Sequence, residues 1–169
     1  MSDDYLLRRD AVASARSVPP IPISIHPFYH PTILTHPRLN LQHYIWNEAF
    51  GYTIHPSTIP KLAASSTSNP ILIADIGAGT AVWSLQVSSV VPNCHVTALD
   101  ISSAQFPAQR LLPSNVTTGL FDVKKEPAEE LKGKFDVVHL RHLYSLIDND
   151  DPVPMMENCV KLLSTSLLV

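Results

Sequence analysis

Asp75, Gly77 and Gly79 form an acid-x-Gly-x-Gly pattern inside ADIGAGTAVW, residues 74–83. The pattern closes a short apolar run, ILIADIG at 71–77, and opens a segment of helical periodicity. Two glycines allow a tight turn and a close backbone approach by a ligand, and the helix start beyond them presents free N–H groups. A second acid, Asp100, ends the next apolar run, HVTALDIS at 95–102. A carboxylate there can accept both hydroxyls of a ribose. Turn, helix and acid together describe a nucleoside site, whereas the glycines alone would be a plain strand–helix turn.

The pattern also narrows the nucleoside. A dinucleotide fingerprint would want Gly or Ala at position 82, where this chain has Val82, a β-branched residue that hinders close helix–strand packing. An acid two residues ahead of the first glycine would repel a pyrophosphate and suits a cationic, phosphate-free ligand. S-adenosylmethionine meets that description: a sulfonium, an amino acid head and an adenosine.

Elements able to hold such a site can be read along the chain. Strand-like runs at 71–77, 95–102, 116–123 and from 135 alternate with helical segments at 80–91, at 102–112, where Pro107 can break the helix, and at 152–163. Such alternation implies a parallel sheet with crossover helices, so the fold class is α/β. KKEPAEELKGK reads as a charged helix or turn, Gly119 and Gly133 as turns, and Asp151-Pro152 as a helix start. Upstream, RLNLQHYIWNEAFG at 38–51 reads as a helix with Leu41, Tyr44, Ile45 and Ala49 on its apolar face and Gly51 as its stop. Residues 3–17 suggest a short amphipathic helix. Nine of the 15 prolines fall in the first 70 residues, and 17–37 reads as an extended, apolar Pro/His arm. The division expected is an arm over 1–66 and a ligand-binding domain over 67–169.

Composition limits the function classes. A net charge of −3 with 16% charged residues offers no footprint for nucleic acid or an anionic membrane. No apolar run approaches the roughly 18 residues of a spanning helix, and the N-terminus carries no signal pattern, so a cytoplasmic protein is expected. Cys94 and Cys159 read as buried small residues rather than a disulfide framework. His26, His30 and His36 sit beside prolines without a nearby Cys or acid, so no metal site is expected. Asp148, Asp150 and Asp151 read as capping and surface charge.

RLNLQHYIWNEAFG, ADIGAGTAVW, ALDIS, FDV and EELKGKFDVVHLRHL resemble the class I S-adenosylmethionine-dependent methyltransferases, most closely the fungal type of secondary metabolism and its regulators. The resemblance covers residues 38–143 and implies a Rossmann-like fold with S-adenosylmethionine as cofactor. It implies that Asp75, Gly77 and Gly79 cradle the methionyl end, and that Asp100 binds the ribose with Ile101 beside the adenine. By the same resemblance Asp122 and Val123 flank the adenine amino group, Leu140 and Arg141 border the methyl donor, and the helix at Tyr44 and Trp46 covers the cofactor. From the residues alone, Asp122 reads equally as a turn residue, and Tyr44 and Trp46 as core. Ala81 is a departure, since many relatives have a third glycine there.

His139 and His142 lie at the C-terminal end of the fourth strand, the edge at which such sheets bind ligands. Alternation along VVHLRH puts His139 and Arg141 on one face and Leu140 and His142 on the other, so at most one histidine is expected in the site. Methyl transfer to an oxygen nucleophile needs a base. His142 is the residue expected in that role, with a core or supporting histidine as the alternative.

The family's sheet has seven strands, whereas this sequence offers four and the start of a fifth in its last residues. An incomplete sheet leaves an uncovered edge, so a homo- or hetero-oligomer covering it is expected. Three functions stay open. The chain acts as a methyltransferase on a small molecule, or as a catalytically inactive or partner-dependent relative, or its fold serves another reaction such as a cyclisation.

Overall fold

The computed structural model describes residues 37–58 and 69–164, all within the compact unit Thr32–Val169. The expected helix at 3–17, the Pro/His arm with His26, His30 and His36, and residues 165–169 lie outside the described residues. Helix α1 (Pro37–Phe50) precedes strand β1 (Ile71–Ile76), helix α2 (Val82–Val90) and strand β2 (Cys94–Asp100). Strands β3 (Val116–Leu120) and β4 (Val137–Leu140) and helix α3 (Val153–Val160) follow. The sheet order is β3-β2-β1-β4, with every pairing parallel. The expected α/β architecture is therefore present, and its chain order reverses direction between β1 and β4, where such sheets open a crevice.

Burial explains the arrangement. Alternate residues of β1 face opposite sides: Ile71 and Ile73 join Trp83, Val87, Cys94 and Val96 beneath α2. Ala74 and Ile76 join Leu99, Phe135, Met155, Cys159 and Leu162 toward α3. A strand buried on both faces reads as a continuous apolar run, as ILIADI does. Both cysteines are buried free thiols, and burial raises each thiol from its ordinary value. Phe135 is 1% exposed, and truncating such a side chain to Ala costs about 3–5 kcal/mol.

Several local expectations change. Residues 102–112, expected as a short helix that Pro107 can break, form two separate 3-10 turns, Ser103–Gln105 and Gln109–Leu111. Pro107 accounts for the break, because it holds Phe106 extended at ψ 142°. Of the two readings of residues 124–134, helix or turn, the structure has turns. Gly119 lies within β3, not in a turn, and a Cβ there would stand 3.0 Å from Leu99 Cδ2. Gly133, by contrast, is a turn glycine at φ 62°. The helix expected from Asp151-Pro152 begins one residue later, at Val153 with Pro152 as its N-cap, and Asp151 accepts the Val153 N–H at 2.9 Å from just outside it. Asp148 pairs with Lys124 at the surface.

The largest correction concerns α1. Leu41, Tyr44 and Ile45 are 60%, 48% and 58% exposed, so the apolar periodicity does not mark the buried face. The buried residues are polar, Asn40 and His43, and they turn toward the sheet's C-terminal edge. Among the described residues, no helix is long and apolar enough to cross a membrane.

Candidate functional site

A cleft of about 390 Å³ opens at the C-terminal ends of β1, β2 and β4, beneath the first half of α1. Ligand pockets commonly measure about 300–1,000 Å³. One wall is the β1–α2 turn. Gly77 and Gly79 sit at φ 68° and 53°, a region open to glycine and strained for other residues. A Cβ on Gly77 would fall 2.6 Å from Leu143 Cδ2, and one on Gly79 would meet Leu39 at 3.3 Å. Ala81, where a third glycine is common, is itself left-handed at φ 58°.

The turn's own N–H groups are used within the protein. Gly77 and Ala78 donate to the Leu99 carbonyl at 2.8 and 3.1 Å, tying the turn to β2. Gly79 donates to Asp100 Oδ2 at 2.8 Å, while Ser102 N donates to Oδ1 at 3.2 Å. A carboxylate offers about four acceptor positions, so Asp100 keeps two for a ligand's hydroxyls. Ile101, 70% exposed, borders the cleft beside it.

Asp75 is 3% exposed and both its oxygens are engaged. Oδ2 accepts the Ser84 hydroxyl at 2.6 Å, and Oδ1 accepts Nδ1–H of His139 at 2.9 Å. Asp75 and His139 face each other in the β1–β4 register, so the sheet itself sets their distance. The His139 ring stacks on Trp83 with centroids 3.6 Å apart and planes at 2°.

Helix α1 adds a polar cluster. Arg141 Nη2 donates to His43 Nδ1 at 2.8 Å, which leaves the proton of the neutral ring on Nε2, facing Gln86 Oε1 at 2.5 Å. Asn47 donates to the same Gln86 oxygen, and Asn40 accepts the Thr80 hydroxyl at 2.6 Å. Burial lowers the His43 imidazole to about 4, and the Arg141 charge adds to the effect. His142 sits at φ 64° with its ring edge-on to Trp46, and its buried Nε2 has no hydrogen-bond partner among the described residues. Burial lowers this imidazole as well.

The cleft thus gathers Asp75, Gly77, Gly79, Asp100, Ile101, Arg141 and His142 from the residues singled out in sequence. It also includes His139, against the expectation that one histidine at most would enter. Strand β4 stops at Leu140, and the left-handed backbone at His142 returns that side chain toward the cleft. Five expected residues do not line it. Tyr44 is exposed on α1, and Trp46 lies further along the helix against Phe50 and His142. Asp122 closes a local turn through Lys124 N and pairs with Lys125, the turn reading of that residue. Val123 is buried, with its carbonyl bound by Asn158, and Leu140 packs toward α3. Sequence reasoning passed over Leu39, His43, Trp83, Ser84 and Gln105. The signal for His43 is the spacing of Asn40, His43 and Asn47, a polar stripe at i, i+3, i+7.

A family profile described as "Methyltransferase domain" matches residues 74–166, more than half of the chain. The chain is 33% identical over 139 residues to "Methyltransferase grgD" of Penicillium sp, a match covering 75% of this chain and 44% of that protein. It is 39% identical over 79 residues to "Secondary metabolism regulator LAE1" of Hypocrea atroviridis, covering 46% and 22%. The chain therefore spans less than half the length of these curated relatives. Among solved structures, it resembles the plantazolicin methyltransferase BpumL, in complex with a pentazolic desmethylPZN analog and SAH. That similarity has a TM-score of 0.50 at 20% identity, over 73% of this chain and 43% of the other. At that identity the likeness concerns the fold.

Proposed function

The chain belongs to the methyltransferase-domain family, and on that premise we propose that it binds S-adenosylmethionine in the cleft above β1 and β4 and methylates a small molecule. The observation that carries the reading is Asp100: a carboxylate fixed by Gly79 N and Ser102 N, with two acceptor positions left beside the exposed Ile101. That acceptor pair fits the hydroxyls of a ribose with a base lying over an apolar side chain.

The cofactor supplies an electrophilic methyl group on a sulfonium. The chain's own residues bind and orient. Gly77 and Gly79 leave the space that side chains would fill. Arg38 and Arg141 border the same cleft and can pair with a carboxylate, while the buried Asp75 places negative charge beneath it. The cytoplasm as compartment, a small-molecule acceptor and an oligomer covering the sheet edge belong to the same proposal.

Calorimetry with S-adenosylmethionine and S-adenosylhomocysteine tests it. Saturable binding of both is expected, weakened at least about tenfold by Asp100→Asn, since a hydrogen bond to a charged group contributes about 1.5–3 kcal/mol. If neither compound binds, or if the variant binds equally well, the assignment is wrong.

A further inference from the structure

A second cavity, about 330 Å³, adjoins the cleft and shares Trp83, His139 and Arg141 with it. Its wall is a row of rings. Trp46 stacks on Phe50 at 4.7 Å and 14°, Phe50 meets Tyr52 at 6.0 Å, and Tyr52 meets His55 at 5.2 Å. Val137 and Val138 form part of its lining. Phe50 and Tyr52 are 52% and 38% exposed, so these faces are accessible. A row of aromatic faces over an aliphatic patch favours a flat aromatic guest by offset stacking.

We propose that this cavity takes the methyl acceptor, a planar aromatic molecule bearing a hydroxyl, and that His139 rather than His142 accepts its proton. The proposal rests on the methyl-transfer reading above. Nδ1 of His139 is committed to Asp75, and Nε2 has no hydrogen-bond partner among the described residues, while 22% of the side chain stays accessible. A carboxylate on one ring nitrogen fixes the tautomer that leaves the other nitrogen as acceptor, and it balances the charge gained on protonation. The acceptor's O–H bond breaks and its proton passes to Nε2. The oxygen electron pair forms the new O–CH3 bond as the S–CH3 bond breaks, and that bond's pair stays on sulfur as a neutral thioether. The other charged or titratable groups around His139 are Arg141 and His142 just beyond β4, His43 on α1, and Tyr52 and His55 across the second cavity.

The chain has two tryptophans, Trp46 and Trp83; both line this cavity and Trp83 lines the cleft as well, so quenching that survives saturating S-adenosylhomocysteine reports occupancy of this cavity. The probe is 4-nitrophenol, whose anion absorbs in the visible. Saturable quenching is expected, with Phe50→Ala weakening it at least fivefold and S-adenosylhomocysteine leaving it in place. The bound phenol is expected to ionise at lower pH than the free one. His139→Gln, which can still donate to Asp75, should retain binding within twofold and lose that absorbance shift, whereas His142→Gln should keep it. Absent quenching, or displacement by S-adenosylhomocysteine, overturns the acceptor site. An unchanged shift in His139→Gln overturns the base. Failure of S-adenosylhomocysteine to bind while the nitrophenol results hold would instead remove the methyl-transfer reading.

Discussion

Asp75 on β1 and His139 on β4 occupy opposed register positions, and the carboxylate accepts the imidazole Nδ1–H at 2.9 Å while Trp83 covers the ring. Three elements therefore fix one side chain: neighbouring strands set the separation, and α2 supplies both Trp83 and the Ser84 hydroxyl on the other carboxylate oxygen. The acid of the glycine-rich motif thus acts on a neighbouring histidine as well as bordering the cleft.

Asp75→Asn tests that coupling. The amide can accept only one of the two donated hydrogen bonds and turns an NH2 group toward the other donor. A loss of about 1–3 kcal/mol in urea unfolding is expected. Nitrogen NMR of His139 should show the proton moving off Nδ1. An unaltered tautomer would mean that Asp75 does not orient the ring.

His43 makes folding pH-dependent. Its imidazole is held at about 4 against an ordinary 6.5, chiefly by burial. Between those values the unfolded chain binds more protons than the folded one, so stability rises with pH there. It is complete above pH 6.5 and lost as pH falls toward 4, by up to about 3 kcal/mol for this group. Urea midpoints measured across that window should slope upward, and less steeply in His43→Gln. Equal slopes in both proteins would exclude the linkage.

Ala81 holds a left-handed conformation at 0% exposure. Non-glycine residues spend about 1–2 kcal/mol there. Ala81→Gly should be neutral or stabilising by under about 1 kcal/mol, because relief of strain is partly offset by a looser unfolded chain. Ala81→Val should lose about 2 kcal/mol or more, through backbone strain and overpacking together. Thermal unfolding of the pair checks the order, and equal effects would contradict it.

Gly77 combines a positive φ with a close side chain. Gly77→Ala should cost about 1–2 kcal/mol in stability from backbone strain alone. It should also displace Leu143, seen as altered methyl shifts for that residue. A stable variant with unmoved Leu143 signals would show that the turn has room to spare.

The α/β class, the strand–turn–helix and both acids were legible because each depends on local rules: period-two and period-3.6 patterns, glycine's access to positive φ, and a carboxylate at a strand end. Alternation along β4 holds only to Leu140, where the strand ends, and His142 beyond it has a left-handed backbone. The apolar spacing of α1 misled for a different reason. Its inner face meets Thr80, Gln86 and Arg141, so Asn40, His43 and Asn47 find hydrogen-bond partners there and the apolar residues face outward.

By itself the sequence determined where the backbone must turn, which acids stand at strand ends, and that parallel strands bring those ends to one edge. Tertiary contacts alone settle that Asp75 serves His139, that the buried stripe of α1 is polar, and that aromatic rings line a second cavity adjoining the cleft. Each of these joins residues far apart in the chain, and a polar group is stable when buried only if a partner meets it there. Spacing within one element carries no record of that partner.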